Sequence, residues 1–325
     1  MKDAPWRVAV FVLIAVSQVA CGSKGNSGTT PTTGPDSVAY IANNVNPGTV
    51  SAYAINTSTG ALTAVTDSPF AAASNPYCVA VDPAGKFVYV ANWASNNISA
   101  YAINTDTGGL TAITGSPFAA GSGPFSVVVD PEGRFLYAAN WASNNVSAYA
   151  ISSTTGALTT VAGSPYAAGL HPHSAAVDGT GKFVYVANSG EATVSTYAID
   201  SATGALTAVA GSPFAAGSTP VSVAGDPSGK FVYVANNGEA TVSAYTIDSA
   251  TGALTAVTGS PYSAGSLPTS VSVEPSGKFA YVVNNYAGTV SAYSINSTTG
   301  ALTAITGSPF TVETSSISVA TIKLK

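Results

Sequence analysis

One six-residue segment, met six times at a nearly constant interval, constrains this chain more than any other feature. It reads "VAYIAN" at 38–43, "FVYVAN" at 87–92, "FLYAAN" at 135–140, "FVYVAN" at 183–188 and again at 231–236, and "FAYVVN" at 279–284. From the second copy onward the spacing is 48 residues; the first interval is 49, because "NNVNPGTV" carries one extra residue before Val50. A fixed period of this length marks a repeat architecture in which each unit buries its faces only against its neighbours.

Each unit holds four short apolar runs. In residues 124–161 they are "FSVVVD", "FLYAAN", "VSAYAI" and "ALTTV". All are rich in β-branched and aromatic residues and bounded by turn residues, the signature of strands. "DPEGR" places Asp, Pro and Gly where a tight antiparallel turn needs them, and "SSTTG" and "DSATG" serve the next turn. In Phe183-Val184-Tyr185-Val186-Ala187 both alternating sets are apolar, so the strand is covered on both faces. Four-stranded antiparallel sheets covered on both faces and repeated at this period are blades of a β-propeller. The expectation is an all-β propeller of six four-stranded blades, with seven as the alternative. The first-type strand recurs near 76–82, 124–130, 172–178, 220–226, 268–274 and 316–322, whereas Val38–Asn43 has only a Gly/Ser/Thr/Pro stretch before it. The simplest closure pairs the C-terminal strand 316–322 with Val38–Asn43.

The ends of the chain differ from the repeats. Lys2 and Arg7 precede the apolar run Val8–Val16, which is too short to span a bilayer and reads as a secretory signal. "VACGS" at 19–23 resembles a lipoprotein cleavage box, which would make Cys21 the lipidated first residue. Gln18 departs from that pattern, and cleavage after Ser17 is the alternative. Residues 22–37 read as a flexible tether and 38–325 as the propeller. The expectation is an exported protein of the bacterial cell envelope, periplasmic or on the cell surface, touching membrane only through Cys21 and otherwise a monomer. Only Cys78 remains beyond Cys21, in a place where other repeats have Ser, which suits a small buried substitute.

Charged residues make up 8% of the chain and the net charge is −5, which argues against nucleic acid as a partner. Lys86, Arg134, Lys182, Lys230 and Lys278 all fall in or after the "DP.G"-type turns, the face away from the loops between second and third strands. The loop face carries the departures from the repeat: Trp93 and Trp141 in two "WASNN" loops, Glu191 and Glu239 in "SGEA" and "NGEA", Tyr286, and the chain's two histidines, His171 and His173. His171 or His173 with Glu191 would suit general-base attack of water on a lactone carbonyl. The same three residues would also suit a metal. Loop drift with weak binding is the third reading. Trp93, Trp141, Glu239 and Tyr286 would form a binding rim, the tryptophans stacking on a sugar or peptide. No phosphate, dinucleotide, zinc-protease or Ser-hydrolase motif is present, and no cofactor is expected.

Over residues 38–325, the string "YVAN…VSAY…TGALT…GSPF…VDP.GKFVYVAN" resembles the lactonase-like, or YVTN-repeat, propeller family. That resemblance implies a propeller fold and includes sugar-lactone hydrolases such as 6-phosphogluconolactonase, muconate-lactonizing relatives and cell-surface proteins. Its enzymes typically have seven blades with non-repeated Arg, His and Glu around one mouth of the channel. The present chain departs on both counts, with six nearly uniform units. A binding or surface-interaction module is therefore the expectation, and hydrolysis of an unphosphorylated lactone is the alternative.

Overall fold

The computed structural model describes residues 14–18, 35, 37–56 and 58–312. They form six antiparallel sheets arranged as propeller blades. In blade three, Pro124–Val129 is the inner strand, Phe135–Asn140 the second, Asn145–Ile151 the third and Leu158–Thr160 the outer one. A further two-residue strand, Tyr166–Ala167, pairs with the other end of the third strand. Four strands per blade were expected, so this short one is an addition. It forms where the "GSP" motif bends the outer strand: in blade three the Ala148 amide donates to Ser164 Oγ at 2.9 Å, beside a cis Ser164–Pro165 bond.

The turns follow the sequence closely. Asp130 Oδ1 accepts the amides of Arg134 and Phe135 at 2.5 and 2.9 Å, as an Asp leading a tight turn should. The Asn that ends each of the second strands of blades two to six is fully buried. Asn140 Nδ2, for example, donates to Asn145 Oδ1 and Ser147 Oγ on the third strand.

Blades are joined by a repeated contact. Phe87, Phe135, Phe183 and Phe231, each 4–6% exposed, press on the backbone of Gly156, Gly204, Gly252 and Gly300 in the next blade. Val38 does the same to Gly108. Beside them, Tyr40, Tyr89, Tyr137 and Tyr233 donate to the carbonyls of Gly108, Gly156, Gly204 and Gly300 at 2.9–3.1 Å. Tyr185 is as deeply buried, but its hydroxyl has no partner. Apolar clusters fill the joints between consecutive blades from one to six.

The first blade departs from expectation. Strand β1 (Ile14–Gln18) lies antiparallel to β2 (Ser37–Asn43), with Ile14 opposite Ile41 and Gln18 opposite Ser37. It takes the inner edge expected to receive 316–322. A segment with Ile and Val satisfies that edge as any β-forming run can. Residues 1–13, 19–34, 36, 57 and 313–325 lie outside the described residues, and with them Cys21, most of the tether and the segment 316–322.

Candidate functional site

The axial mouth is assembled from two positions in every repeat. One is the connection entering the inner strand: Asn75, Gly123, His171, Thr219 and Leu267 all have a left-handed backbone, with φ between 50° and 64°. Their carbonyls accept the amides of Trp93, Trp141, Ser189, Asn237 and Asn285, the first residues past the second strands, at 2.8–3.0 Å. The loops of one blade are thereby clamped to its own entry strand.

Contacts also cross from blade to blade. Trp141 stacks on His171 of the following blade, with ring centroids 4.2 Å apart and planes 13° from parallel. Trp93 leans over Gly123, where a β-carbon would stand 3.0 Å from the indole Nε1. Asn144 Oδ1 accepts the His171 amide at 2.8 Å, fixing the strained turn beneath the stack.

The second position lies two residues further along, on the inner strands: Tyr77, Phe125, His173, Val221 and Thr269. Tyr77 and Phe125 rings lie 4.3 Å apart, and Phe125 and His173 4.2 Å apart. Tyr77 also meets Trp93, at 6.1 Å. Blades two to four therefore present an aromatic wall, Trp93–Tyr77–Phe125–His173, with the Trp141–His171 stack beside it. Blades five and six contribute Val221, Thr269, Thr219 and Asn237. Sequence reasoning missed Tyr77 and Phe125 because aromatics within strands read as core. The available signal was that this position changes character between repeats while its neighbours stay constant.

His173 Nδ1 lies 2.7 Å from the Val221 carbonyl oxygen. A carbonyl only accepts, so Nδ1 carries the proton and Nε2 keeps a lone pair. Enclosure among the inner strands pushes the His173 pKa down to about 4, partly offset by that hydrogen bond. The neutral ring is an acceptor at physiological pH and a weak base. Because the folded pKa lies below the unfolded value near 6.5, the unfolded state takes up this proton first as pH falls. The stability that His173 contributes should be lost between about pH 6.5 and 4. Denaturant titrations across that range should show a shallower acid-side slope for His173→Phe than for the parent; equal slopes would mean the ring is not held neutral.

Glu191 is exposed. Its Oε2 lies over Gly169, 2.6 Å from where a β-carbon would stand, beside a crevice of about 240 Å³ lined by Gly169, Ser195, Tyr197 and Ser212. Glu239 sits equivalently over Gly217. Among the described residues, no hydrogen bond links Glu191 to His171 or His173, and no three His, Cys, Asp or Glu side chains gather as metal ligands. The His171 ring stands beside Gly190, the neighbour of Glu191, where a β-carbon would lie 3.0 Å from its Nδ1. Tyr286 is 77% exposed and stands apart from the aromatic wall.

Cys78 is buried, and burial raises its pKa to about 11. Its Sγ receives the Val127 amide at 3.4 Å. Ser126, Ser174 and Ser222 receive the equivalent amides of Ala175, Val223 and Val271 at 3.1–3.3 Å. The thiol is one of a series of hydrogen-bonded links between inner strands. Arg134 is held at the far end of its blade by Asp130, Glu132 and the Ser201 carbonyl. The other lysines of the blades, Lys86, Lys182, Lys230 and Lys278, immediately precede second strands as Arg134 does, at the end opposite the mouth.

A ring of radially stacked antiparallel sheets, with its variable residues gathered at one axial mouth, defines a β-propeller of the kind that carries binding and hydrolytic sites at its centre. Residues 35–169, 166–221 and 221–318 match the family model described as Lactonase, 7-bladed beta-propeller. The chain belongs to this lactonase-like propeller family. Six sheets stand among its described residues where the family's description gives seven blades.

Solved structures share the fold. One is a 6-phosphogluconolactonase candidate from Bacteroides uniformis, 18% identical, covering 94% of this chain and 97% of its own, with a TM-score of 0.76. A similar candidate from Bacteroides fragilis is 19% identical, with coverages of 96% and 98% and a TM-score of 0.74. A periplasmic gluconolactonase of Pseudomonas aeruginosa is 18% identical, with coverages of 93% and 98% and a TM-score of 0.68. No curated protein matches the chain in sequence.

Proposed function

We propose that this chain is an exported, lipid-anchored propeller that binds an uncharged small molecule, a sugar or a short peptide segment, at its aromatic mouth. The observation that carries the reading is the continuous wall of Trp93, Tyr77, Phe125 and His173 with the stacked Trp141–His171 pair beside it. Aromatic faces bind apolar ring surfaces, and a neutral imidazole Nε2 accepts from a ligand hydroxyl or amide. The lysines and Arg134 of the blades lie at the opposite end. That placement disfavours a phosphorylated ligand, which calls for an Arg or Lys clamp.

Hydrolysis of an unphosphorylated lactone is the second reading, favoured by family membership. It asks His173, with a pKa of about 4, to act as a base without Glu191. Efficient general bases sit near the working pH. One preparation separates the readings. In the full chain carrying Trp6→Phe, the only tryptophans left are Trp93 and Trp141, both at the mouth. Titration with uncharged glycosides and peptides should change their fluorescence, and Trp141→Ala should weaken binding by about tenfold or more. Lactone opening that disappears in His173→Ala would establish the enzyme instead. Fluorescence indifferent to every ligand, with no lactone consumed, would refute both readings.

A further inference from the structure

One position in the loops after the second strands changes character around the ring. It is Ser95 and Ser143 in blades two and three, Glu191 and Glu239 in blades four and five, and Ala287 in blade six. The serines serve the fold: Ser95 Oγ accepts the Ser74 amide at 2.9 Å, and Ser143 Oγ the Ser122 amide at 3.0 Å. The glutamates do not take over that role. Among the described residues neither carboxylate has a hydrogen bond or an ion pair, and no Lys or Arg stands at this end of the blades.

The crevice beside Glu191 lies between blades three and four, apart from the aromatic wall. Gly169 and Ser195 line it and are both buried. Ala167, Ala208 and Pro213 supply apolar lining. Ser195 Oγ accepts Asn188 Nδ2 at 2.9 Å and the Gly169 amide at 3.3 Å, and Ser212 Oγ accepts the Thr196 amide at 2.8 Å. Neither hydroxyl donates its own proton to a described residue, so both protons are free for a ligand. The crevice therefore offers an unpaired carboxylate, two hydroxyl donors and small apolar walls. Its complement carries a cation, an acceptor close to that cation, and a small apolar body. A lysine side chain lacks the acceptor. A free amino acid would bring a second carboxylate against Glu191, a like-charge contact. The N-terminus of a peptide has all three features, since its α-ammonium stands next to a neutral carbonyl.

We propose that this crevice, and its repeat one blade on, each capture the free N-terminus of a peptide. The α-ammonium sits on Glu191, the first carbonyl accepts from Ser195 or Ser212, and a small first side chain lies along the alanines and Pro213. The repeat is built alike. Glu239 Oε2 stands 2.7 Å from where a Gly217 β-carbon would lie. Ser243 accepts Asn236 Nδ2 at 2.8 Å, and Ser260 the Ala244 amide at 2.9 Å. Blades two and three, with serine in place of glutamate, have no charge to hold an ammonium, so the chain has two such sites. Both lie off the aromatic wall, and the proposal stands or falls separately from ligand binding at the mouth.

Calorimetric titration of the full chain tests it, at low salt because an exposed ion pair is screened. The probes are an alanine tripeptide amide, its N-acetylated form and n-butylamine. At pH 7 the α-amine, with a pKa of about 8, is mostly charged. The free peptide should bind at two sites per chain, and Glu191→Gln should leave one. Glu191→Gln with Glu239→Gln should weaken binding by about tenfold or more, as should N-acetylation of the peptide. Butylamine, which has no carbonyl, should bind about fivefold more weakly than the peptide. Both glutamates are exposed, so the variants should melt with the parent. Failure of the free peptide to bind, equal binding of the acetylated peptide or of butylamine, or undiminished binding in the double variant would each overturn the proposal.

Discussion

Replacing Tyr137 with Ala should reduce the unfolding free energy by about 3–5 kcal/mol, the usual range for deleting a large buried aromatic. Tyr137 is fully buried in the joint between blades three and four, and its hydroxyl donates to the Gly204 carbonyl at 3.1 Å. The apolar ring and the hydroxyl can be separated by a milder change. Tyr137→Phe keeps the ring and orphans the carbonyl, which should cost about 1–2 kcal/mol. The repeat supplies a control that most folds lack. Tyr185 occupies the same place one blade on, equally buried, with no partner for its hydroxyl. Tyr185→Phe removes an unsatisfied polar atom and should be neutral or stabilising. Urea denaturation of the three variants measures the pattern. Equal losses for Tyr137→Phe and Tyr185→Phe would show that the hydrogen bond to glycine is not what ties one blade to the next.

The scaffold was legible in the sequence because its physics is local and repeated. Strand period, two-sided apolar character and Asp-led turns all recur in each unit, so a weak signal in one copy is reinforced by the others. The sixfold count of "YVAN"-like strands matches the six sheets. The cis Ser–Pro bonds and the extra two-residue strand were not legible, since "GSPF" reads simply as a turn. The mouth was half legible. His171, His173, Trp93 and Trp141 stood out as departures from the repeat and do converge there. Glu191 stood out equally, but adjacency along a loop does not encode direction: its carboxylate lies over Gly169, and among the described residues it makes no hydrogen bond to either histidine. Tyr77 and Phe125 were hidden because aromatic residues are ordinary in strands. Their role emerges only when inner strands are set side by side around an axis.

The second large effect concerns the glycines on which the aromatics press. Gly204 has φ near +75°, and a β-carbon there would stand 2.3 Å from the Phe135 ring. Gly204→Ala therefore meets two penalties, the left-handed backbone at about 1–2 kcal/mol and forced displacement of a packed ring at about 1–3 kcal/mol. The sum should approach the loss expected for Tyr137→Ala. Gly60 separates the two contributions. Its φ is +73°, but nothing lies within 4 Å of its built β-carbon, so Gly60→Ala should show the backbone cost alone. The difference between the two variants in denaturant titration isolates the steric part of a blade joint.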